Sequence, residues 1–481
     1  MTPEETKKEN KDQEHWDQHC FTFSRKDSLS TGTGTGKLEY ESKIAQILLD
    51  APNGKEKNIA KVSYHAYTSS GDDRPLFFCF NGGPGAASVW LHVGAFGPKI
   101  VNNLDVENYH HGQAIINNEN SLLPYGDLVF VDPVGTGFSE VKSEEEQKKF
   151  MNEGDDATSL AEFIYRYLDQ ERCWGRPVFL VGESYGGFRI SLLAKTLIDR
   201  YSIYPKGLLF VAPFLSGVSI EEKPSNIIAQ GNFAVSYAIS AWYHGKSSIK
   251  AKSIKDTFQQ AKDFIRTEWL PALLEKPISE IDEILLKAYG ALIGVLPEVL
   301  RENQGMFHVL DFSKELFPGE AQYPGRLDSR FLSEHPLSYA PSYVDPALSA
   351  IGRSITYKYL EYLSRDFSFQ SKIRFEGLSS SVMELWTFKD PFYESALTSL
   401  GAAMKQNPTM KSYFIGGHYD LAVTASGIEY DINRLPISSG LRKNIKLDLF
   451  EAGHMMYVKQ DILAKIVERV SQWFTLKKSL V

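Results

Sequence analysis

The sequence VFLVGESYGG, residues 178–187, is the strongest structural signal in the chain. Its first four residues are apolar and rich in β-formers, which predicts a buried strand, and residues 188–198 are apolar at helical spacing. The Gly-x-Ser-x-Gly turn between them therefore has the strand, sharp turn and helix of a nucleophile elbow. Gly182 and Gly186 would leave room where a Cβ would clash, and Ser184 would stand exposed at the tip. The alternative is a chance match of this short pattern in a loop.

The composition is that of an ordinary globular protein, with 43% hydrophobic and 23% charged residues among 481. The net charge of −8 disfavours nucleic acid or an anionic membrane as a partner. No apolar run reaches the length of about 18 residues that a membrane span needs. Cys20, Cys79 and Cys173 are too few and too scattered for a disulfide framework or a zinc site, so three free thiols are the simpler expectation. The sequence leaves the oligomeric state open.

Residues 1–20 are charged and lack an apolar segment, which predicts a flexible N-terminal tail. As written, this start is no secretory signal peptide and favours a cytoplasmic protein, whereas a secreted or periplasmic location is expected if a signal was removed. The Thr-Gly repeat at 31–36 predicts a loop. Because no Lys-Ser/Thr follows it at the required spacing, it does not match a phosphate-binding loop.

Strand and helix signals alternate along both ends of the chain, which predicts an α/β fold with a mostly parallel central sheet flanked by helices. Lys37–Leu49 and Asn58–Thr68 alternate in polarity around Pro52-Asn53-Gly54, which predicts an antiparallel hairpin. The other predicted strands are 75–80, 128–132, 208–213, 413–415 and 445–450, and the predicted helices are 155–168, 253–268, 278–296 and 458–474.

The rhythm changes between residues 219 and 390, where helical periodicity and proline-rich loops continue without a clear buried strand. We interpret residues 219–390 as a mainly helical cap insertion. It divides the core into a first part at 21–218 and a second part at 391–481. The alternative is a separate helical domain.

Two further polar residues follow predicted strands and complete a catalytic pattern with Ser184. A serine needs a base to take its proton, and a carboxylate must orient that base. Asp420 and His454 each come just after a predicted strand, and an open α/β sheet brings such loops to one edge. The chain order Ser184, Asp420, His454 is the order of the α/β-hydrolase fold. The sequence therefore predicts a catalytic triad.

An oxyanion hole is predicted beside the elbow. The backbone N–H of Tyr185, the residue after the nucleophile, supplies one donor. The loop Asn81-Gly82-Gly83-Pro84-Gly85 follows a predicted strand and exposes consecutive N–H groups, of which that of Gly83 is the expected second donor. The alternative for this loop is a plain tight turn.

Four motifs together resemble the serine carboxypeptidase family, peptidase family S10. They are Asn81–Gly85, Gly135-Thr136-Gly137-Phe138-Ser139, Gly182–Gly187 and Ala452-Gly453-His454-Met455, in the family's order. The resemblance implies an α/β-hydrolase core with a helical insertion. It also implies peptide substrates, whose C-terminal residues are removed through an acyl-enzyme under acidic conditions.

The resemblance further implies a site for the substrate's terminal carboxylate. In the family this group is held by the loop asparagine, a neighbouring loop N–H and two glutamic acids. Asn81, Gly82 and Glu183 match three of these, and Met455 beside His454 is also assigned to substrate binding. A carboxyl group must be protonated to donate a hydrogen bond to a carboxylate, and like charge raises its pKa. This would account for an acidic preference.

The chain departs from the family pattern at several positions. Cys79 stands where the family usually has tryptophan, and Ala95 stands where it has the second glutamate. Ala86 replaces a loop cysteine, so a family disulfide is absent, and Tyr457 follows Met456 where proline is common. These departures put strict C-terminal specificity in doubt and resemble the bacterial branch of the family.

A serine-type carboxypeptidase is thus the first hypothesis, and two alternatives stay open. Ala95 and Cys79 favour an esterase, or an acyltransferase that passes the acyl group to an alcohol. A binding or protective scaffold that does not depend on turnover is the third interpretation. No metal-ligand spacing and no dinucleotide fingerprint is present, so neither a metal nor another cofactor is predicted.

Overall fold

The computed structural model describes residue 16 and residues 20–30, 37–320, 322–334, 344–390 and 395–478. The predicted tail lies outside the described residues except for Trp16 and Cys20, and the predicted loop at 31–36 lies outside them entirely. No described helix combines the length and apolar character that a membrane crossing requires.

A ten-stranded sheet forms the centre of the molecule, in the order β1-β2-β3-β7-β4-β9-β10-β13-β14 with β8 beside β3. Strands β1, β2, β3 and β7 pair antiparallel, and every pair from β7 through β14 is parallel. The predicted mostly parallel sheet is therefore confirmed. The sheet strands are β1 Thr22–Ser30, β2 Lys37–Leu49, β3 Ala60–Thr68, β4 Leu76–Phe80, β7 Asp127–Val131, β8 Glu140–Val141, β9 Val178–Glu183, β10 Gly207–Val211, β13 Lys411–Gly417 and β14 Ile445–Phe450.

Within the described residues, two small antiparallel pairs lie outside this sheet, β5 Lys99–Val101 with β6 Ile115–Asn117, and β11 Gln322–Pro324 with β12 Leu332–Glu334. The hairpin predicted from residues 37–68 is confirmed as β2 and β3. Strand β1 was not predicted, because its sequence TFSRKDSLS is mostly polar and it lies at the exposed edge of the sheet.

Helices cover both faces of the sheet and form most of the insertion. They are α1 Val89–Leu91, α2 Glu144–Lys148, α3 Glu153–Gln170, α4 Tyr185–Tyr201, α5 Gly217–Ile220, α6 Ile227–Tyr243, α7 Ile254–Phe264, α8 Leu270–Glu275, α9 Glu283–Ile293, α10 Pro297–Glu302, α11 Val309–Glu315, α12 Arg353–Phe367, α13 Ser380–Leu385, α14 Ser395–Gln406, α15 Ala425–Arg434, α16 Ser439–Arg442 and α17 Gln460–Phe474.

The central strands are buried on both sides, which explains their unbroken apolar runs. In β4, Phe77 and Cys79 point into one apolar layer, whereas Leu76, Phe78 and Phe80 point into the other. Helices α12 and α17 contribute to the first layer, and α3, α4 and α14 contribute to the second. This packing fixes the sheet, so that the loops after its parallel strands are held at one edge.

The region 219–390 differs from the predicted helical cap in two respects. The short pair β11–β12 interrupts its helices. Helix α12 is part of the core, because Ile355, Tyr359 and Tyr362 are buried in the same apolar layer as Phe77. The boundaries at 219 and 390 stay a prediction.

The predicted helix 278–296 is also shorter than expected. A 3₁₀ turn occupies Ile278–Glu280, and α9 begins only after Asp282, whose side chain accepts the N–H of Ile284. The helix ends at Gly294, which has a φ of 76°. An acidic N-cap and a left-handed glycine thus set its limits.

Candidate active site

The turn after β9 is a strained nucleophile elbow. Ser184 has φ 57° and ψ −125°, a conformation that is costly for a residue with a Cβ. A Cβ on Gly182 would collide with the carbonyl of Gly186, and one on Gly186 would lie 2.5 Å from the carbonyl oxygen of Phe80. The two glycines therefore allow the tight turn, as the sequence predicts.

Hydrogen bonds to the end of β10 hold the elbow in place. The Ser184 N–H donates to the Val211 carbonyl at 3.0 Å, and the Ser184 carbonyl accepts the Phe214 N–H at 3.0 Å. Tyr185 is the first residue of α4, so its N–H is among the donors that a helix leaves unpaired at its start. The serine side chain thus sits in front of a helix N-terminus.

His454 and Asp420 form a buried pair at the ends of β14 and β13. His454 Nδ1 lies 2.6 Å from Asp420 Oδ2. The other oxygen of Asp420 accepts the N–H groups of Ala422 at 2.7 Å and Val423 at 2.9 Å. These bonds fix the carboxylate, so the imidazole is oriented with Nδ1 toward it and Nε2 away from it. The backbone N–H of His454 donates to the Leu327 carbonyl at 2.7 Å.

The electrostatic surroundings of His454 favour its protonated form. Burial lowers the pKa of His454, but the charge and hydrogen bond of Asp420 and the charge of Glu183 raise it above its ordinary value. The positive charge of Arg326 acts in the opposite direction. The pKa of His454 is therefore set by burial and by three charged groups around it.

The loop after β4 packs directly against the elbow. A Cβ on Gly82 would lie 2.6 Å from the Tyr185 nitrogen and 2.9 Å from the Ser184 Cβ. Gly83 has a φ of 100°, which favours glycine. Consecutive loop N–H groups and the start of α4 are thus brought together beside the serine.

A buried ion pair supports this loop from behind. Arg189 Nε lies 2.7 Å from Asp156 Oδ2, and Arg189 is 1% exposed. The other end of the guanidinium donates to the Asn81 carbonyl. Since a buried arginine is costly unless its hydrogen bonds are satisfied, this contact ties the loop firmly to α4.

The Glu183 carboxyl and its two hydrogen-bond partners, Asn81 and Tyr457, form a group that we call the carboxyl cluster. The Leu91 N–H donates to Asn81 Oδ1 at 3.0 Å, so the amide nitrogen points to Glu183 and donates to it. The Tyr457 hydroxyl donates to Glu183 at 2.8 Å and 3.0 Å. Burial raises the pKa of Glu183 to about 7 although these donors and the charge of His454 lower it.

One cavity of about 280 Å³ connects these groups. Ser184 and His454 both line it, and its remaining wall is mostly apolar. Arg326 and Asp345, which come from the insertion, add charge at the wall. The lining residues are Asn81, Gly82, Gly83, Ala86, Trp90, Glu183, Ser184, Arg326, Leu327, Asp345, Leu348, Leu378, Met383, His454 and Met455.

A strap of the insertion, residues 376–379, holds two loops at the rim of the cavity. Glu376 and Gly137 exchange backbone hydrogen bonds of 2.8 Å and 2.9 Å. The last N–H of the strap donates to the Gly85 carbonyl at 2.8 Å, and the Ala87 N–H donates to the Gly377 carbonyl at 2.9 Å. The insertion thus fixes the outer side of the loop that follows β4.

The predicted site residues are brought together at one edge of the sheet. Tyr185 and Asp420 lie directly behind the cavity wall, and the others line the wall itself. Of the departures from the family pattern, Cys79 and Ala95 are fully buried, and Ala86 lines the cavity. The three cysteines are free thiols, as expected.

Several residues that line or support the candidate site were not predicted from the sequence. Tyr457 was noted only as a departure, although its position in the His454 loop signalled that it is near the site. Arg189 follows Ser184 on α4, and a charged residue on the buried side of a helix was the available signal. Arg326 and Asp345 had no local signal, because only tertiary packing of the insertion brings them to the cavity. No described set of three or more His, Cys, Asp or Glu side chains is arranged to hold a metal ion.

The parallel sheet, the serine elbow and the polar loops beyond its strands define an α/β-hydrolase fold. The crystal structure of the prohormone-processing carboxypeptidase KEX1(Δ)p from Saccharomyces cerevisiae matches with a TM-score of 0.55 and 15% identity, over 90% of this chain and 91% of that chain. At this identity the likeness shows the fold alone.

The chain belongs to the serine carboxypeptidase family, whose sequence model matches residues 54–317. Serine carboxypeptidase S10 family member 1 from Dictyostelium discoideum is 25% identical over 265 residues, 55% of each chain. Serine carboxypeptidase-like 35 from Arabidopsis thaliana is 24% identical over 249 residues, half of each chain.

A higher identity is confined to a shorter segment. Pheromone-processing carboxypeptidase KEX1 from Saccharomyces cerevisiae is 34% identical over 135 residues, 27% of this chain and 17% of that protein. The chain therefore spans between about a sixth and about half the length of these curated relatives. The predicted family is confirmed, whereas its bacterial branch stays a prediction.

Proposed function

We propose that the protein is a serine-type carboxypeptidase that removes C-terminal residues from peptides. The observation that carries this proposal is the shared cavity of Ser184 and His454, with Asp420 2.6 Å behind the imidazole. Membership of the serine carboxypeptidase family supports it. Peptides are accordingly the proposed substrates.

The reaction follows from the roles proposed for these groups. His454 Nε2 takes the proton of Ser184 Oγ, which bonds to the carbonyl carbon of the scissile peptide. The N–H groups of Tyr185 and Gly83 stabilise the negative charge on the carbonyl oxygen. The C–N bond breaks as the imidazolium returns its proton to the leaving amino group. Water then hydrolyses the acyl-enzyme with the same base, and Asp420 holds the imidazole throughout.

C-terminal specificity is assigned to the carboxyl cluster. Asn81 Nδ2 carries two hydrogens, of which one is used on Glu183. Its second hydrogen, the Gly82 N–H and the acid proton of Glu183 can bind a terminal carboxylate. Because the pKa of Glu183 is raised to about 7, the carboxyl is a donor below this pH and a repelling anion above it. Met455 contributes an apolar contact at the cavity wall.

A fluorophosphonate probe tests the nucleophile. The wild-type protein should be labelled on Ser184, and Ser184→Ala should not be labelled. As a matched control, Ser191→Ala removes another buried hydroxyl of α4, which donates only to the Gly187 carbonyl. It should keep full labelling. A correctly folded wild-type protein that resists the probe would refute the proposed nucleophile.

An esterase or acyltransferase is the second candidate, favoured by the mostly apolar cavity wall and by Ala95. Blocked dipeptides as free acids, as C-terminal amides and as simple esters separate the two candidates. A carboxypeptidase should prefer the free acid below about pH 7. Equal rates on free acid and amide at every pH would exclude it in favour of the second candidate.

A further inference from the structure

The Tyr457 hydroxyl lies within hydrogen-bonding distance of both carboxyl oxygens of Glu183, at 2.8 Å from Oε1 and 3.0 Å from Oε2. Tyr457 is completely buried, and Glu183 is 3% exposed. We propose that Tyr457 is a positioning residue for carboxylate recognition: its hydroxyl holds Glu183 so that the acid proton of Glu183 is directed at the terminal carboxylate of a peptide. This inference rests on the proposed carboxypeptidase function and deepens it.

The Tyr457 hydroxyl stays protonated as pH rises and therefore remains a hydrogen-bond donor. Burial, together with the charge of Glu183, raises the pKa of Tyr457 well above its ordinary value, so the phenol keeps its proton. Asn81 is a second donor, because its Oδ1 is occupied by the Leu91 N–H and its Nδ2 faces Glu183. Two donors thus face Glu183 from inside the protein. The proton that Glu183 itself carries is left for the ligand.

The ring of Tyr457 lies next to Gly94, the chain neighbour of Ala95, which departs from the family pattern. Ala95 is fully buried, and a Cβ on its neighbour Gly94 would lie 3.4 Å from Tyr457 Cε2. The interior next to Glu183 is therefore filled by a phenol that brings its own proton. A carboxyl partner in this place would have to share one with Glu183.

The presence of a phenol instead of a second carboxyl beside Glu183 affects the pKa of Glu183. Burial and the charge of Asp420 raise the pKa of Glu183, whereas the charge of His454 and the hydrogen bonds of Tyr457 and Asn81 lower it. Removing only the tyrosine hydroxyl takes away a bond that favours the anion. The protonated form of Glu183 should then persist to higher pH, while the carboxyl loses one of its two orienting bonds.

Tyr457→Phe tests this with paired substrates, a blocked dipeptide as free acid and as amide, over a range of pH. The free-acid preference of the wild-type protein should fall with a midpoint near the pKa of Glu183. In the variant the midpoint should rise by about one pH unit, because losing one charge-assisted hydrogen bond has about this effect. The KM for the free acid at low pH should rise about fivefold, more than the KM for the amide.

An infrared titration gives a second measurement that needs no turnover. The band of the protonated Glu183 carboxyl is identified by its loss in Glu183→Gln, and its midpoint should shift upward in Tyr457→Phe as the kinetic midpoint does. Tyr457→3-fluorotyrosine makes the phenol a stronger donor, so the midpoint should move downward. Opposite shifts in the two variants cannot come from general damage to the fold.

Tyr359→Phe is the matched control. Tyr359 is another buried tyrosine, and its hydroxyl lies 3.2 Å from His65 Nδ1, away from the cavity. Its loss should leave the midpoint unchanged. If Tyr457→Phe kept both the midpoint and the free-acid preference of the wild-type protein, the proposed role of Tyr457 would be overturned. The carboxypeptidase proposal would not be affected. A wild-type protein that takes the fluorophosphonate but shows no free-acid preference would overturn the carboxypeptidase proposal and this inference together.

Discussion

The two halves of the site are built in different ways. On one side, Ser184, His454 and Asp420 each follow a strand of the parallel sheet, and backbone N–H groups fix the Asp420 carboxylate. On the other side, Glu183 is held by side chains, an amide from the β4 loop and the phenol of Tyr457. The proposed bond-breaking groups are therefore placed by strand order, whereas the proposed selection of free-acid substrates depends on side chains that meet only in the folded protein.

The largest expected loss of activity comes from changing the group of Ser184, His454 and Asp420, which we call the strand-ordered half of the site. Asp420→Asn removes the charge that stabilises the imidazolium and favours the wrong tautomer of His454, so kcat/KM should fall by about 10⁴-fold. Steady-state hydrolysis of free-acid and amide substrates measures it, and both should fall alike. As a control, Asp448→Asn on β14 removes a carboxylate that pairs with Tyr413 outside the site, and should lose less than about twofold. A loss confined to free acids would contradict the division into halves.

Gly82→Ala tests the contact between the β4 loop and the elbow. The new Cβ would lie 2.6 Å from the Tyr185 nitrogen, so the loop must move away from the proposed oxyanion donors. We expect kcat to fall by about 10²-fold to 10³-fold with a smaller change in KM. Gly440→Ala is the control, since the nearest atom to its Cβ would be 3.8 Å away. A variant in which only the KM for free acids rises and kcat is kept would show that the proposed contact of the Gly82 N–H with the terminal carboxylate is lost while the proposed oxyanion donors are not disturbed.

The strand-ordered half is also the half that local sequence signals predict, whereas Asn81 and Glu183 of the other half were assigned only through the family resemblance. Short apolar runs ending in Gly, Asp or His are local signals, and parallel pairing then brings Ser184, Asp420 and His454 to one edge. Tyr457 and Arg326 could not be placed in this way. The direction of Tyr457 is set by the turn after His454, and Arg326 reaches the cavity through packing of the insertion.

Local sequence signals do not show which helices of the region 219–390 pack into the core, for the same physical reason. Helix α12 shows an amphipathic pattern that fits either a cap or a core helix. Its aromatic contacts, such as His65 on β3 and His92 in the turn after α1, are far away in sequence. Its place in the core is decided by contacts that no local window contains.

Glu183→Gln tests the other half of the site, in which Asn81 and Tyr457 hold Glu183 and which we call the side-chain half. Its expected effect on substrate preference is moderate. Glutamine donates a hydrogen bond at every pH, whereas Glu183 loses its proton as pH rises through about 7. The free-acid preference should therefore become nearly independent of pH. At about pH 8.5 it should exceed that of the wild-type protein by about tenfold.

The free-acid to amide ratio of kcat/KM measures this preference, and Glu222→Gln serves as a control. Glu222 is another largely buried carboxyl that accepts a tyrosine hydroxyl, from Tyr237 at 2.9 Å, in the insertion. Its variant should keep the wild-type pH dependence. If Glu183→Gln kept that dependence as well, the pH-sensitive donor would have to be a different group.

The smallest expected effect is a shift of the pH profile when Arg326 is changed. Arg326 belongs to the insertion, and its charge acts on His454 in the strand-ordered half. The guanidinium lowers the pKa of His454, and the base must be neutral to accept the serine proton. Arg326→Gln should raise that pKa, so the acid limb of the kcat/KM profile should move upward by about half a pH unit at low salt. Because Arg326 is exposed, the shift should shrink as salt rises. Arg365→Gln, an exposed arginine of α12 beside Asp366, is the control and should leave the limb in place. An acid limb that did not move at low salt would show that the insertion shapes the cavity without tuning its base.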